Sequence, residues 1–284
     1  MKDTDARQDA AIETFRALHE SGCFILPNPW DVGTALYLQS LGCKAIATTS
    51  AGFAFSRGRA DGAVPRDEML VHLREMVAAA KVPVNADFLS GFAEGPDELA
   101  ANVTRCIGTG VAGLSIEDST GQVEKPLFSH EQATARLAAA RRAIDESGKP
   151  VILTGRCEAF LVGHPEPLQT VLERLPAYAE AGADCLYAPG VSELDAIAAI
   201  VRAVAPKPVN VLVSGFNSHV SHSQLAELGV RRISVGSGFA LAAWGEFDRA
   251  AREILTTGKF DRLAQGARFA ELNTLFASQP EDPN

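Results

Sequence analysis

Short apolar stretches alternate with longer helical stretches along nearly the whole chain. Each apolar stretch ends in small or polar residues, and an Ala/Leu/Glu-rich stretch follows it. Apolar runs of this kind between helical segments are typical of parallel strands that helices cover on both sides of a sheet. The pattern predicts eight strands, at residues 23–27, 44–49, 82–87, 112–118, 150–156, 184–189, 208–213 and 231–236.

Prolines, acidic residues and glycines mark the expected ends of the helices between these strands. Pro65, followed by Asp67 and Glu68, predicts a helix that runs to about residue 80, and Pro96 predicts another before the fourth strand. A glycine stands just before several strands, as expected for a left-handed helix stop. These glycines are Gly42, Gly110, Gly148, Gly182 and Gly229.

Eight strand–helix units predict an α/β fold, a (β/α)8 TIM-type barrel, with an open doubly wound sheet as the alternative. We see no linker, so the expectation is one domain over residues 1–284, with 259–284 as a C-terminal helical extension. In such barrels the chemistry takes place at the C-terminal ends of the strands. The residues at those ends are therefore the first candidates for a functional site.

Composition narrows the class of protein further. The chain has 284 residues and a net charge of −9, and its arginine pairs, Arg141-Arg142 and Arg231-Arg232, are isolated and interpreted as solvated charge. The absence of a basic patch argues against a nucleic-acid partner. Five cysteines without a CxxC pair, no apolar signal segment and no membrane-length run predict a cytoplasmic protein with no membrane partner.

Polar side chains end the third and fourth predicted strands. Asn85 and Asp87 are two residues apart, so both point to the same side of an extended strand, and Glu117-Asp118 end the next strand. Oxygen ligands of this type suit a hard cation, Mg²⁺ or Mn²⁺. The alternative is that one carboxylate turns away to cap a helix or to pair with an arginine.

The second and fifth strands add groups that could bind an anion. Strand two ends in 48–52, TTSAG, whose backbone N–H groups could hold a carboxylate, although an ordinary Ser/Gly turn has the same composition. The long charged loop that follows contains Asp61 and could cover a site. Arg156, at the end of strand five, could bind a carboxylate or phosphate bidentately, or form a structural ion pair with Glu117 or Glu158. Cys157 has no histidine nearby in the sequence, which argues against a nucleophilic role.

Several of these segments together resemble the isocitrate lyase/phosphoenolpyruvate mutase superfamily. The resemblance covers nearly the whole chain. It rests on PNPWDVGTALYLQSLGCKAIATTSAGFAFSRGRADG (27–62), VPVNADFLSGF (82–92), GVAGLSIEDSTG (110–121) and TGRCEAFLVG (154–163). In the superfamily the second segment usually reads Asp-Ala-Asp followed by a Gly-Tyr-Gly turn.

The resemblance implies a (β/α)8 barrel, often with the last helix swapped between subunits, and a homo-oligomer, a dimer or tetramer. It implies a small 2-oxo or 2-hydroxy carboxylate as substrate and Mg²⁺ (or Mn²⁺) as cofactor. The implied metal residues are Asn85, Asp87 and Glu117, the implied substrate-binding residues are Thr49, Ser50, Ala51 and Arg156, and the residues expected to carry catalysis are Arg156, Asp61 and Glu117.

This chain departs from the superfamily pattern at two places that bear on activity. Asn85 stands where Asp is usual, so we expect weaker metal binding or a different balance of charge on the enolate. The segment STGQVEKPLFSH (119–130) lacks both the Lys-Lys-Cys-Gly-His loop of isocitrate and methylisocitrate lyases and the mutase-type Lys-Leu-Phe-Pro-Lys pattern. The expected function is a Mg²⁺-dependent carbon–carbon lyase or decarboxylase that forms an enolate. The alternatives are a carbon–phosphorus bond enzyme and a non-catalytic barrel that binds 2-oxo acids.

Overall fold

The computed structural model describes residues 2–278, which form a nearly closed barrel of eight parallel strands. Neighbouring strands follow the order β1-β8-β7-β6-β5-β4-β3-β2. The strands are β1 (Phe24–Leu26), β2 (Ile46–Ala47), β3 (Val84–Asp87), β4 (Gly113–Glu117), β5 (Ile152–Arg156), β6 (Cys185–Tyr187), β7 (Val209–Leu212) and β8 (Arg232–Ser234). Each lies inside one of the eight predicted stretches, so the predicted barrel is confirmed and the open sheet is not adopted.

Eleven α-helices accompany these strands within the described residues. They are α1 (Lys2–Glu20), α2 (Val32–Ser40), α3 (Ser50–Ser56), α4 (Arg66–Ala79), α5 (Pro96–Ile107), α6 (His130–Ser147), α7 (Pro167–Glu180), α8 (Leu194–Val204), α9 (His222–Glu227), α10 (Gly238–Thr257) and α11 (Phe269–Ala277). Helix α4 begins directly after Pro65 and α5 begins at Pro96, as predicted. All five predicted glycine stops have positive φ, between 68° and 105°.

The inside of the barrel is more polar than the sequence pattern suggested. Phe15 of α1 fills one end, while Asn85, Thr154, Asn210 and Arg232 are all buried inside. The interpretation of Arg232 as solvated charge is wrong, because only 2% of this residue is exposed. Arg232 occupies an inward-facing position on β8, and its guanidinium donates to Thr154 on β5.

The segment after the barrel is partly helical. Helix α10 is followed by a 3-10 turn at Asp261–Gln265 and by α11, which lies near α2 of the same chain. Residues 279–284 of the predicted extension lie outside the described residues. Of the helices that the structure describes, none is both long and apolar enough to cross a membrane.

Candidate active site

Three neighbouring strands bring one charged side chain each to the C-terminal mouth of the barrel. Asp87 ends β3, Glu117 ends β4 and Arg156 ends β5, and Glu117 is paired with Arg156 in the parallel register. Arg156 Nη1 lies 3.3 Å from Asp87 Oδ1 and 3.4 Å from Glu117 Oε2. The guanidinium therefore bridges the two carboxylates that the sequence analysis assigned to a metal.

Arg156 has a third acidic partner and an aromatic neighbour. Its Nε donates to Glu158 Oε1, and its Cζ lies 5.3 Å from the centroid of the Tyr187 ring. Burial opposes the charge on Arg156, but the carboxylates of Glu158, Glu117 and Asp87 outweigh this effect and raise its pKa well above the usual value. Arg156 thus stays a cation and is available to neutralise charge in the pocket.

Burial raises the pKa of Glu117 well above its usual range, although the positive charge of Arg156 opposes the shift. The neighbouring carboxylates of Glu158, Asp87 and Asp61 add to the increase. Three carboxylates therefore contact one guanidinium, and the Asp61 carboxylate adds a fourth negative charge nearby. Such a cluster binds a proton or a cation more readily than isolated carboxylates do.

Asp61 lies on the exposed loop after α3 and reaches the same cluster. Partial burial of its carboxyl group raises its pKa, and the negative charge of Asp87 adds to the shift. The loop is fixed by Glu68 in the first turn of α4, because Arg57 Nε lies 3.2 Å and Arg59 Nη1 2.5 Å from the Glu68 carboxylate oxygens. The structure thus brings Asp61 to the mouth beside Asp87.

The predicted carboxylate cradle lies at the N-terminus of α3. Thr49 is the N-cap, and its Oγ1 accepts from the N–H of Gly52 at 3.2 Å. The Ser50 N–H donates to Asp87 Oδ2 at 2.9 Å, whereas the Ala51 N–H makes no hydrogen bond to another described residue. One of the three predicted backbone donors is therefore held by Asp87, and the Ala51 N–H remains for a ligand.

The predicted metal ligands supply suitable atoms but not a closed set. Within residues 2–278 there is no group of three or more His, Cys, Asp or Glu side chains that could hold a metal ion. Asn85 contributes an amide in place of a carboxylate, and Arg156 lies between Asp87 and Glu117. Two buried oxygen atoms nevertheless lack hydrogen-bond partners: Asn85 Oδ1, and Glu117 Oε2, whose only partner among the described residues is the ion pair with Arg156. Because hard oxygen donors without partners suit a divalent cation, the residues fit Mg²⁺ that is held partly through water.

Asp118, the residue after Glu117, turns away from this cluster. Its Oδ2 accepts from Arg174 Nη1 at 2.8 Å and from the Tyr178 hydroxyl at 2.7 Å, and its Oδ1 accepts from the Glu158 N–H at 2.8 Å. The expectation that one carboxylate of this region would pair with an arginine is therefore met by Asp118. Asp118 therefore fixes the segment that follows β5, and this segment contains Glu158.

Replacing Asp118 by alanine is expected to destabilise the fold by about 3–5 kcal/mol, because Arg174 would lose its carboxylate in a largely buried position. The change in free energy of unfolding can be measured by denaturant titration. Asp145→Ala serves as the control, since Asp145 pairs with Arg141 at the surface of α6 and its side chain is 66% exposed, and its unfolding midpoint should hardly move. A loss below about 1 kcal/mol in Asp118→Ala would show that the network is dispensable.

The turn after β3 positions Glu117 through a strained backbone. Leu89 has a φ of 50°, which costs free energy in a residue other than glycine, and its carbonyl oxygen accepts from the Glu117 N–H at 3.0 Å. Buried Arg136 donates to the carbonyl oxygens of Ser90 and Glu94 in the same turn. The sequence did not reveal this arrangement, because leucine gives no sign of a positive φ.

Two other residues of the mouth were missed from the sequence. Asn28 joins three strand ends: its Nδ2 donates to the Thr48 carbonyl oxygen, and its Oδ1 accepts from the N–H groups of Val235 and Gly236, all at 2.9 Å. Tyr187 ends β6 and lines the pocket with Asp87 and Arg156. Tyr187 lies in the predicted sixth strand, so a search of all eight strand ends for functional residues would have included it.

The fold and the site define a (β/α)8-barrel protein whose mouth holds an acidic, arginine-bridged cluster suited to a small carboxylate. A family model described as phosphoenolpyruvate phosphomutase matches residues 15–255. The chain belongs to this family and, with it, to the isocitrate lyase/phosphoenolpyruvate mutase superfamily, which confirms the resemblance seen in the sequence. The superfamily comprises carbon–carbon lyases and phosphoenolpyruvate mutases that act on small carboxylates.

Similar proteins support this placement over the full chain. A Burkholderia cenocepacia J2315 crystal structure, provisionally named a lyase/mutase, is 44% identical with a TM-score of 0.93, and the match covers 98% of this chain and 100% of that one. An uncharacterized protein of Mycobacterium tuberculosis strain H37Rv is 31% identical over 91% of this chain and 94% of its own length. The 2-methylisocitrate lyase of Escherichia coli K12 is 32% identical over 56% of this chain and 55% of its own.

Proposed function

We propose that this protein is a Mg²⁺-dependent lyase or decarboxylase that breaks a carbon–carbon bond in a small 2-oxo or 2-hydroxy dicarboxylate. The observation that supports it most directly is the cluster of Asp87, Glu117 and Arg156 at adjacent strand ends, beside the Asn85 Oδ1 atom, which has no hydrogen-bond partner. Such a cluster can bind a cation and an organic anion side by side. The name of the Escherichia coli relative, 2-methylisocitrate lyase, agrees with this chemistry.

In the proposed reaction each residue has a separate task. The substrate carboxylate is received at the N-terminus of α3 by the Ala51 N–H, together with Thr49 and Ser50. Arg156 binds the second anionic group and neutralises charge that develops as the bond breaks. Asp87, Glu117, Asp61 and the Asn85 amide oxygen would hold the cation, partly through water. When bound, Mg²⁺ would stabilise negative charge on the oxygen of the enolate.

The loop after β4 favours a reaction without the cysteine-dependent step of the isocitrate lyases. Residues 119–127 form a short hairpin-like turn with an isolated bridge between Ser119 and Leu127, and Val123 at its tip is 89% exposed. The loop contains no cysteine that could protonate a released carbanion. A decarboxylation, or cleavage with another proton donor, is therefore the better proposal.

The test is turnover with Mg²⁺ on oxaloacetate, 2-methylisocitrate, 2,3-dimethylmalate and phosphonopyruvate, followed as formation or loss of a 2-oxo acid. Mg²⁺-dependent cleavage of a dicarboxylate, lost in Arg156→Ala, is the expected result.

The match to a phosphomutase family model supports carbon–phosphorus chemistry as the second candidate. Phosphate release from phosphonopyruvate alone would select that candidate. Binding of oxalate without turnover of any compound would contradict the lyase proposal and favour a non-catalytic barrel.

We further propose that the protein is a homo-oligomer, a dimer or tetramer, that associates through the helices after the barrel. Large apolar side chains on and after α10 are exposed, among them Trp244, Phe247, Phe260 and Phe269. Exposed apolar surface of this extent is typical of an interface. A cytoplasmic location and the absence of nucleic-acid and membrane partners remain predictions.

Light scattering coupled to size exclusion should show a particle of two or four chain masses. Phe247→Glu should shift it towards the monomer, because a charge would be buried in the proposed interface. Val123→Glu, at the exposed tip of the β4 loop, is the control and should leave the mass unchanged. A monomeric wild-type protein at micromolar concentration would contradict the proposal.

A further inference from the structure

The barrel interior below the site contains a buried cation that has no carboxylate partner within the described residues. Arg232 is 2% exposed, and its Nε donates to Asn210 Oδ1 at 2.9 Å while its Nη2 donates to Thr154 Oγ1 at 3.0 Å. Its Nη1 lies 3.3 Å from His19 Nε2, and burial followed by the charge of Arg232 lowers the pKa of His19 to about 3. All three partners are thus neutral. A buried charge without a counterion is unfavourable by itself, which indicates a role in the site above it.

A directed chain of hydrogen bonds leads from Arg232 towards the mouth. Because the Asn210 oxygen accepts from Arg232, its Nδ2 group is the donor to Ser234 Oγ, at 2.9 Å. The Ser234 hydroxyl can therefore donate its own hydrogen to another acceptor. Ser234 and Tyr187 line the same cavity, and the Ser234 hydroxyl lowers the pKa of the Tyr187 phenol. The chain of hydrogen bonds therefore reaches the cavity at Ser234, where it would stabilise a negative charge on the phenol.

Tyr187 lines the pocket on the wall opposite the proposed carboxylate cradle. It lines a cavity of about 40 Å³ together with Asp87 and Arg156, and its ring faces the Arg156 guanidinium at 5.3 Å. The proposed carboxylate cradle follows β2, whereas Tyr187 stands on β6, across the barrel mouth. Burial raises the pKa of Tyr187 to about 12, and Arg156 and Ser234 oppose the shift, so the phenol carries its proton at neutral pH.

We propose that Tyr187 is the proton donor of the reaction and that Arg232, Asn210 and Ser234 stabilise the phenolate that forms. This inference rests on the proposed lyase function. When the carbon–carbon bond to a carboxylate of a 2-oxo dicarboxylate breaks, that carboxylate leaves as CO₂ and the electron pair of the bond remains on the carbon of the enolate. The Tyr187 O–H bond then breaks and a C–H bond forms at that carbon. The phenolate, held by Ser234 and by the charge of Arg156, takes a proton from solvent before the next turnover.

The position of Asp61 makes it less suited to this step. Its carboxyl group interacts with Ser50 and Asp87, on the side of the mouth where the substrate carboxylate and the cation would bind. Glu117 is assigned to the cation and would lose its proton when the cation binds. Tyr187 is the titratable side chain that faces the pocket from the opposite wall and that has no task in binding the cation. It can fill the role that the missing loop cysteine leaves open.

The experiment compares Tyr187→Phe, Ser234→Ala and the double variant with wild type, on the dicarboxylate that wild type cleaves. Tyr187→Phe should lower kcat by about 10²- to 10³-fold, as for loss of a general acid, with the dissociation constant of oxalate unchanged. The solvent deuterium isotope effect on kcat should rise, because protonation by water becomes the slow step. Ser234→Ala should lower kcat by about tenfold and should cost nothing further in the Tyr187→Phe background.

Tyr37→Phe is the matched control, since Tyr37 lies exposed on α2, and it should keep full activity. A Tyr187→Phe protein that keeps kcat within about threefold of wild type would overturn the proposal. Equal losses of kcat and oxalate affinity would also overturn it, because they would indicate a structural role. If the effects of Tyr187→Phe and Ser234→Ala were additive, Ser234 would act independently of the proton transfer, and its proposed role would be overturned. A wild type without turnover would refute the lyase function itself, whereas an active wild type with an unimpaired Tyr187→Phe refutes only the role of Tyr187.

Discussion

Replacing Asp87 by asparagine is expected to lower turnover by about 10³- to 10⁴-fold, because a bound cation contributes several kcal/mol of charge stabilisation to the transition state. The substitution preserves the size of the side chain. It removes the one carboxylate that contacts both the Ser50 N–H and Arg156. With Asn85 beside it, strand β3 would then present two neutral amides to the cation, which is too weak a ligand set for a hard divalent ion.

Calorimetric titration with Mg²⁺ and turnover assays on the same samples check this expectation. Asp145→Asn, on the exposed face of α6, is the control and should match wild type in both measurements. The reverse change, Asn85→Asp, should tighten Mg²⁺ binding, since it restores the charge that superfamily members usually have there. If Asp87→Asn binds Mg²⁺ as tightly as wild type, Asp87 is not a ligand and its interaction with Arg156 is structural.

Replacing Arg156 by alanine should lower kcat/KM by about 10³-fold or more, because charge-assisted hydrogen bonds to a substrate anion contribute about 1.5–3 kcal/mol each. A second effect adds to the first. Asp87, Glu117 and Glu158 would lose the guanidinium that now lies among them. We therefore expect the oxalate dissociation constant to rise together with the loss of turnover.

Arg156→Lys distinguishes charge from geometry. Lysine keeps the positive charge but cannot reach several carboxylate oxygens in one plane, so only part of the activity should return. Arg142→Ala on the exposed face of α6 is the control, and its activity should be unchanged. Wild-type turnover in Arg156→Ala, measured with excess substrate and Mg²⁺, would remove Arg156 from the proposed mechanism.

The sequence predicted the barrel well because its signals are local. The apolar runs, the prolines at α4 and α5 and the glycines before the strands each act within a few residues. Strand ends in a barrel converge, so Asp87, Glu117 and Arg156 could be placed together before any contact was known.

Contacts between distant segments could not be predicted in this way. Arg232 stands in a basic pair, RR, and nothing beside it in the sequence shows that it crosses the barrel to Thr154. Asp118 and Glu117 are adjacent and alike, yet only the positions of Arg174 and Tyr178 on α7 decide which of them faces the pocket. The bridging of Asp87 and Glu117 by Arg156 likewise depends on side-chain conformations that spacing does not determine.

The strands β1 and β2 are the two ends of the strand order and do not pair with each other. This junction, here called the seam, links ligand binding to local opening of the barrel. Within the described residues, β1 and β2 are joined by one main-chain hydrogen bond, from the Ala47 N–H to the Pro27 carbonyl oxygen, and by the Asn28 amide. Amide hydrogens along such a seam exchange with solvent through low-energy local openings. The cradle at the start of α3 directly follows β2, on one side of this seam. A ligand that binds there only to the closed form therefore slows exchange by a factor of one plus the ratio of the free ligand concentration to Kd. The seam between β1 and β2, where few hydrogen bonds oppose opening, is therefore also the region that a bound substrate would stabilise.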